Sequence, residues 1–259
     1  MPQLSAGRYF AEIEAGTAGL AEILAEHDQS LPIPTCPEWT LRQLVTHVGR
    51  AQRWAAEIMR TRSDVFIPFR EVPDGTLPDD RAEQPAWLRA GAALIVDAVR
   101  EAGSDLVWSF TGPAPAGFWI RRMAHETLVH RADAQLAAGA EPEPVIEAEV
   151  AADAIDEWLM LLTAGILGSA AERKALPAGA GLHIRATDEG IGGRGEWMIR
   201  HDPRGLTVEP GHGNGDAALT GPAASLLLAL TRRRPVCDPA VTVCGDNALV
   251  DGWLASTAF

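Results

Sequence analysis

The chain has 259 residues, 47% of them hydrophobic, enough to bury a sizeable core in one large domain or two modest ones. Its formal charge of −13 is spread along the sequence, and no basic stripe is interleaved with aromatic residues, so nucleic acid is not an expected partner. Apolar runs such as LLLAL at 226–230 are far too short to span a membrane, and no basic flank with an apolar core opens the chain; the expectation is a cytoplasmic protein with no membrane partner. Cys36, Cys237 and Cys244 form no CxxC pair, which argues against a disulfide framework or a thiolate zinc site. Lys174 is the one lysine among 22 basic residues, a bias that points to a GC-rich genome.

From Tyr9 to His27, Phe10, Ile13, Leu20 and Leu24 recur at helical spacing, and the three prolines of SLPIPTCPEW then interrupt the pattern. Thr40 with Gln43 three residues on makes a capping box, and Leu41, Leu44, Val45, Val48, Trp54 and Ile58 extend a second helix with His47 in its middle. A long surface connection over 61–82 precedes a third helix, from about Glu83 to Glu101. GSDLVWSFTGPAPAG leads into a fourth, from about Phe118 to Ala138, ended by GAEPEP. A fifth runs from about Ile146 to Leu167 and carries Trp158, Leu159 and Leu162. After LPAGAG the period becomes alternating, through Leu182, Ile184 and Ala186, then Trp197 and Ile199, then Leu206 and Val208, which predicts antiparallel strands. Helices at ASLLLALTRR and NALVDGWLAS flank a strand at AVTVCG. The expected organisation is an all-α helical bundle over residues 1–170 and an α+β domain over 178–259, with the boundary near 168–180.

The stretch MAHETLVHRADAQ, residues 123–135, carries the chemistry. Residues four apart on a helix are stacked neighbours, so Glu126 and His130 can address one point, and His47 can supply a third group from the second helix. Two imidazoles and one carboxylate make a catalytic zinc set that leaves one coordination position open. The same residues also suit a solvated face and a buried histidine, so spacing alone leaves both readings standing. Asp133, one turn beyond His130, can accept the proton of the non-ligating nitrogen and fix the tautomer, or pair with a surface arginine. His125 lies on the next stripe, about 100° from Glu126, where packing or support of a ligand from behind is expected rather than ligation. His27, His183, His201 and His212 have no partners in sequence and receive no function.

CPEWTLRQLVTHVGR at 36–50, RRMAHETLVHRADA at 121–134, LLLALTRRRPV at 226–236 and VTVCGDNALVDGW at 241–253 together resemble the mycothiol-dependent maleylpyruvate isomerase family. The resemblance implies a DinB-like four-helix bundle with a sterol-carrier-like α+β domain behind it. It implies a divalent metal, typically zinc, on His47, Glu126 and His130. It further implies a thiol reaction, in which mycothiol adds to the cis double bond of a small electrophile such as maleylpyruvate, rotation follows, and elimination gives the trans isomer. The basic-residue bias fits an actinobacterial host that makes mycothiol. An arginine of the C-terminal domain contributes to activity in that family. Arg234 lies closest to the pattern, beside Arg232 and Arg233, while a positively charged helix end favoured by the macrodipole explains the same three residues. Cys36, in the loop before the second helix, is a poor nucleophile because nothing nearby in sequence lowers its pKa, and Trp39 is expected to pack at that helix entry. The partners expected are a small-molecule thiol and an electrophile, in a monomer or homodimer. Two further readings keep the fold but change the role: a hydrolase using metal-bound hydroxide, and a non-catalytic small-ligand-binding protein.

Overall fold

In the computed structural model, which describes residues 4–139, 145–166, 176–203, 205–236 and 238–257, helix α1 (Ala6–Glu26) starts where Ser5 accepts a hydrogen bond from the Arg8 amide. That bond satisfies one of the orphan donors of the first turn. The chain divides into two compact units, Leu4–Pro144 and Val145–Phe259.

The first unit is built on α1, α2 (Leu41–Thr61), α3 (Gln84–Ala102) and α4 (Gly117–Ala137), with a two-stranded ribbon of β1 (Leu106–Val107) and β2 (Ala114–Pro115) before α4. The capping box of α2 forms as the sequence indicates: Thr40 and Gln43 each satisfy the other's backbone amide. α1 packs on α4 and α3, and α2 packs on α3 and α4. Polar groups are also shared inside: the Gln52 amide donates to Thr17 Oγ1 at 2.9 Å and Thr127 Oγ1 at 3.1 Å, tying α2 to α1 and α4 at one buried point. Around Trp54, a cluster of Trp108, Phe110 and Trp119 fills one end of the interior. Leu20, Leu41, Leu44, Val45, Val48 and Leu88 fill the other.

The second unit opens with α5 (Ala148–Thr163) and continues through β3 (Gly181–Ala186), β4 (Glu196–Asp202), β5 (Gly205–Pro210), β6 (Ala217–Gly221), α6 (Ala223–Leu230), β7 (Thr242–Gly245) and α7 (Asn247–Ser256). The sheet order is β5-β4-β3-β6-β7. All pairs are antiparallel except β3 with β6, which run parallel, so the sheet is mixed. β6, AALTG, went unread in the sequence. Leu182, Ile184, Trp197 and Leu219 are fully buried, as are Leu226 and Leu227 of α6.

α5 corrects the expected domain boundary. The sequence reading assigned it to the helical bundle, but its contacts are with α6 and β5, and the Trp158 ring meets Trp253 of α7 edge-on at 5.5 Å. Helical periodicity identifies a helix, not its partner, and α5 is buried on most of its circumference. The division therefore falls between residues 144 and 145, and residues 168–175 of the expected 168–180 boundary lie outside the described residues.

Candidate metal centre

The loop between α1 and α2 is wound tightly enough to serve as a wall. The Ile33 amide donates to the Trp39 carbonyl at 3.0 Å, Cys36 to Ile33 at 3.0 Å and Trp39 to Cys36 at 2.8 Å, while Ile33 is fully buried. Thr35, Cys36 and Trp39 are thereby held against α4 and the middle of α2.

Three side chains meet there. His47 Nε2 lies 2.7 Å from Glu126 Oε1, and His130 Nε2 lies 3.3 Å from the same oxygen. All three donor atoms fall within 4.8 Å of one another. The two imidazole rings stand edge-on with centroids 5.0 Å apart, and the Trp39 ring covers both, 4.7 Å from His47 and 5.8 Å from His130. His47 keeps about a third of its side chain exposed, whereas His130 is buried. The cluster thus has one open side.

The outer partners divide each group's atoms between two tasks. Arg122, one turn before Glu126 on α4, forms an ion pair with Glu126 Oε2, leaving Oε1 to face the imidazoles. Burial alone would raise the Glu126 carboxyl, but the Arg122 charge and the hydrogen bonds from His130 and His47 hold it well below the usual carboxylate range. His130 Nδ1 lies 2.8 Å from Asp133 Oδ2, and Asp133 is completely buried. Thr35 donates to the other Asp133 oxygen at 2.6 Å, and the Cys36 thiol lies 3.8 Å from Oδ2. Burial would lower the His130 pKa, but hydrogen bonds to Asp133 and Glu126 outweigh it and push it up to about 9. A metal at this point would therefore take the place of a proton on Nε2.

The donor set fits a divalent metal. Two nitrogens and one carboxylate oxygen converge, and Nδ1 of the buried imidazole is committed to Asp133, which turns Nε2 toward the cluster. Sequence reasoning missed Arg122, Thr35, Cys36 and Trp39 here. Arg122 had a signal, its i,i+4 spacing from Glu126; the contacts of Thr35 and Cys36 with Asp133, across 98 and 97 residues, had none. His125 is buried, its ring edge-on to Tyr9 at 5.9 Å. The arginines of the second unit are described within that unit. Arg234 Nη1 lies 3.1 Å from Asp238 Oδ2, Arg233 is buried and donates to the Thr231 carbonyl at 2.8 Å, and Arg232 takes a positive φ just past the end of α6.

Family models match both parts of the chain: that of the mycothiol maleylpyruvate isomerase N-terminal domain over residues 10–135, and that of the MDMPI C-terminal domain over residues 149–252. A crystal structure of the mycothiol-dependent maleylpyruvate isomerase is similar with a TM-score of 0.56 at 19% identity, covering 94% of this chain and 95% of that one. A histidine-to-alanine variant of that isomerase gives 0.53 at 18% identity, with the same coverage. No curated protein matches this chain. At these identities the structural likeness establishes the fold.

Proposed function

The chain belongs to the mycothiol maleylpyruvate isomerase family, and on that premise we propose that it activates a small-molecule thiol, mycothiol, for addition to a small electrophile of the maleylpyruvate type. The observation that carries this reading is the convergence of His47 Nε2, Glu126 Oε1 and His130 Nε2 on one partly open point. A divalent metal held by these residues, zinc by the choice of donors, supplies a Lewis acid that lowers the pKa of a thiol into the neutral range.

The remaining work falls to the chain's own residues. Asp133 keeps the proton of His130 on Nδ1, so that Nε2 is the ligating atom. Arg122 keeps Glu126 ionised and turns Oε1 toward the two imidazoles. Trp39 shields one side of both rings from water. Arg234, pre-oriented by Asp238, offers a planar fork suited to a substrate carboxylate. The overall reaction balances without oxidant or reductant: the thiolate adds to the cis double bond, the new single bond rotates, and elimination returns both the thiol and the trans isomer. No described helix is long and apolar enough to cross a membrane. Use of a small-molecule cellular thiol supports a cytoplasmic location for the proposed activity.

The test is cis–trans conversion of maleylpyruvate by the full-length protein, followed with and without mycothiol, alongside elemental analysis. Turnover should require the thiol. His47→Ala, Glu126→Ala and His130→Ala should each cost one metal equivalent and more than the 10–100-fold in affinity typical of changes to residues that only orient a ligand. Thiol-independent hydrolysis of substrate, or tight substrate binding without turnover in the metal-loaded protein, would overturn the reading.

A further inference from the structure

A second set of donors sits on the opposite face of the C-terminal sheet from its packed core. His183 on β3 lies among Gly181, Leu182 and Ile184 in a buried run, but its side chain alternates away from the buried Leu182 and Ile184. Its strand neighbour is Met198 on β4. Two residues before Met198, and so on the same face, stands Glu196. The connection between β5 and β6 is drawn over both. Its start is pinned where the Gly211 amide donates to the Glu196 carbonyl at 2.9 Å, in a backbone conformation with φ +111° that suits glycine. Its end is pinned by two bonds with Gly181: the Asp216 amide donates to the Gly181 carbonyl at 2.7 Å, and the Gly181 amide donates to Asp216 Oδ2 at 2.8 Å. Between these anchors Gly213 runs so close to Met198 that a Cβ would fall 2.9 Å from its sulfur. His212 is thereby held over the sheet.

The result is a converging set. His212 Nδ1 lies 3.5 Å from Glu196 Oε2, His183 Nε2 lies 3.7 Å from the same oxygen, and the two rings meet edge-on at 5.0 Å. All three donors lie within 4.8 Å of one another. Edges between ligands of a tetrahedral zinc site with bonds of about 2.0–2.1 Å are roughly 3.3–3.4 Å, so the two edges to Glu196 Oε2 need only a small contraction. The glutamate is divided as in the first centre: Oε1 faces Arg185 at 3.3 Å and Oε2 faces the two imidazoles. Arg185 is more than half exposed and can swing outward when a cation arrives.

His183 supplies the independent sign of a ligand. It is only 6% exposed, and among the described residues its Nε2 has no hydrogen-bond partner, the Glu196 oxygen being too distant for one. A buried polar atom left this way is destabilising unless something completes its coordination. His212, largely exposed, leaves an approach from solvent.

We propose that His183, Glu196 and His212 form a second divalent transition-metal site, best suited to zinc, which clips the β5–β6 connection onto the sheet face of the C-terminal domain. Its ligands come from β3, β4 and that connection alone, so the site does not depend on the first centre.

The test is metal titration of tag-free, chelator-treated full-length protein, with Zn2+ counted by elemental analysis and Co2+ followed by its visible ligand-field absorption. The His47→Ala variant isolates the second site and should bind one equivalent. His47→Ala/His212→Ala and His47→Ala/Glu196→Gln should bind it more than about 100-fold more weakly, beyond the range of merely orienting residues. In the otherwise unaltered chain, His212→Ala should lower the total by one equivalent. Equal stoichiometry in His47→Ala and His47→Ala/His212→Ala would overturn the proposal. Failure of the first centre reads out separately, as equal metal content in the unaltered chain and in His47→Ala.

Discussion

Asp133→Asn isolates what orientation contributes at the first centre. Asp133 is completely buried, with one oxygen 2.8 Å from His130 Nδ1 and the other accepting from Thr35 at 2.6 Å. Asparagine keeps the shape but only one acceptor. The Thr35 hydroxyl can accept as readily as donate, so the new amide nitrogen turns toward Thr35 and the carbonyl stays on His130. The imidazole therefore retains its tautomer and loses only the charge that makes it a stronger ligand. Metal affinity should fall roughly 10–100-fold, or about 1.4–2.7 kcal/mol, with helix content unchanged by far-UV circular dichroism. Thr35→Val in that background removes the anchor that sets the amide. The amide nitrogen can then face Nδ1, which forces the proton onto Nε2, the ligating atom. A double-mutant cycle on metal affinity should accordingly show a coupling of about 0.5–3 kcal/mol, the double variant being worse than the two single losses combined. Unchanged affinity in Asp133→Asn, or strict additivity with Thr35→Val, would refute this account and leave Asp133 as an anchor for the α1–α2 loop.

Removing metal with a chelator should lower the melting temperature of the full-length protein, because the three ligands tie α2 to α4; at free metal about 100 times Kd the loss corresponds to about 2.7 kcal/mol, and a melting temperature indifferent to metal would count against the site. Arg234→Lys should lower kcat/KM for a carboxylate-bearing electrophile by at least about tenfold while sparing a neutral one, since an ammonium cannot reproduce a bidentate fork; equal losses on both would return Arg234 to its pairing with Asp238. Gly49→Ala should destabilise by about 1–3 kcal/mol in thermal unfolding, although alanine is the better helix former. The added Cβ would lie 2.1 Å from Trp87 Cζ3, and that ring is held by its bond to the Asp74 carbonyl and by Arg53 stacked 4.1 Å away. A neutral or stabilising result would mean that α3 can slide on α2.

What the sequence made legible follows the distance over which its signals act. Helix starts are local, and the Thr40–Gln43 box lies where the residue types put it. Glu126, His130 and Asp133 share one helix, so their common face was available from spacing, and the ion pair of Arg122 with Glu126 was equally readable at i,i+4. Whatever depends on another element was not. α5 reads as a helix from its own residues, but the choice between two cores is made by α6 and β5. β6 consists of Ala, Leu, Thr and Gly, with little strand preference of its own; it is a strand because β3 and β7 supply ladder partners on both sides.

The His183, Glu196 and His212 set marks the limit of such reading most sharply. Its members are 13 and 16 residues apart on three segments, and they converge only because the β3–β4 register puts Arg185 opposite Glu196 and His183 opposite Met198, while hydrogen bonds at both ends hold the next connection down across them. A slip of one residue in that register would turn Glu196 toward the packed face and dissolve the set. The buried face of the sheet therefore specifies the polar one: Leu182, Ile184, Trp197 and Ile199 fix the register by their burial, and the donors on the other side follow from it. Any substitution that loosens this register should disperse the donors before it unfolds the helices of the same unit.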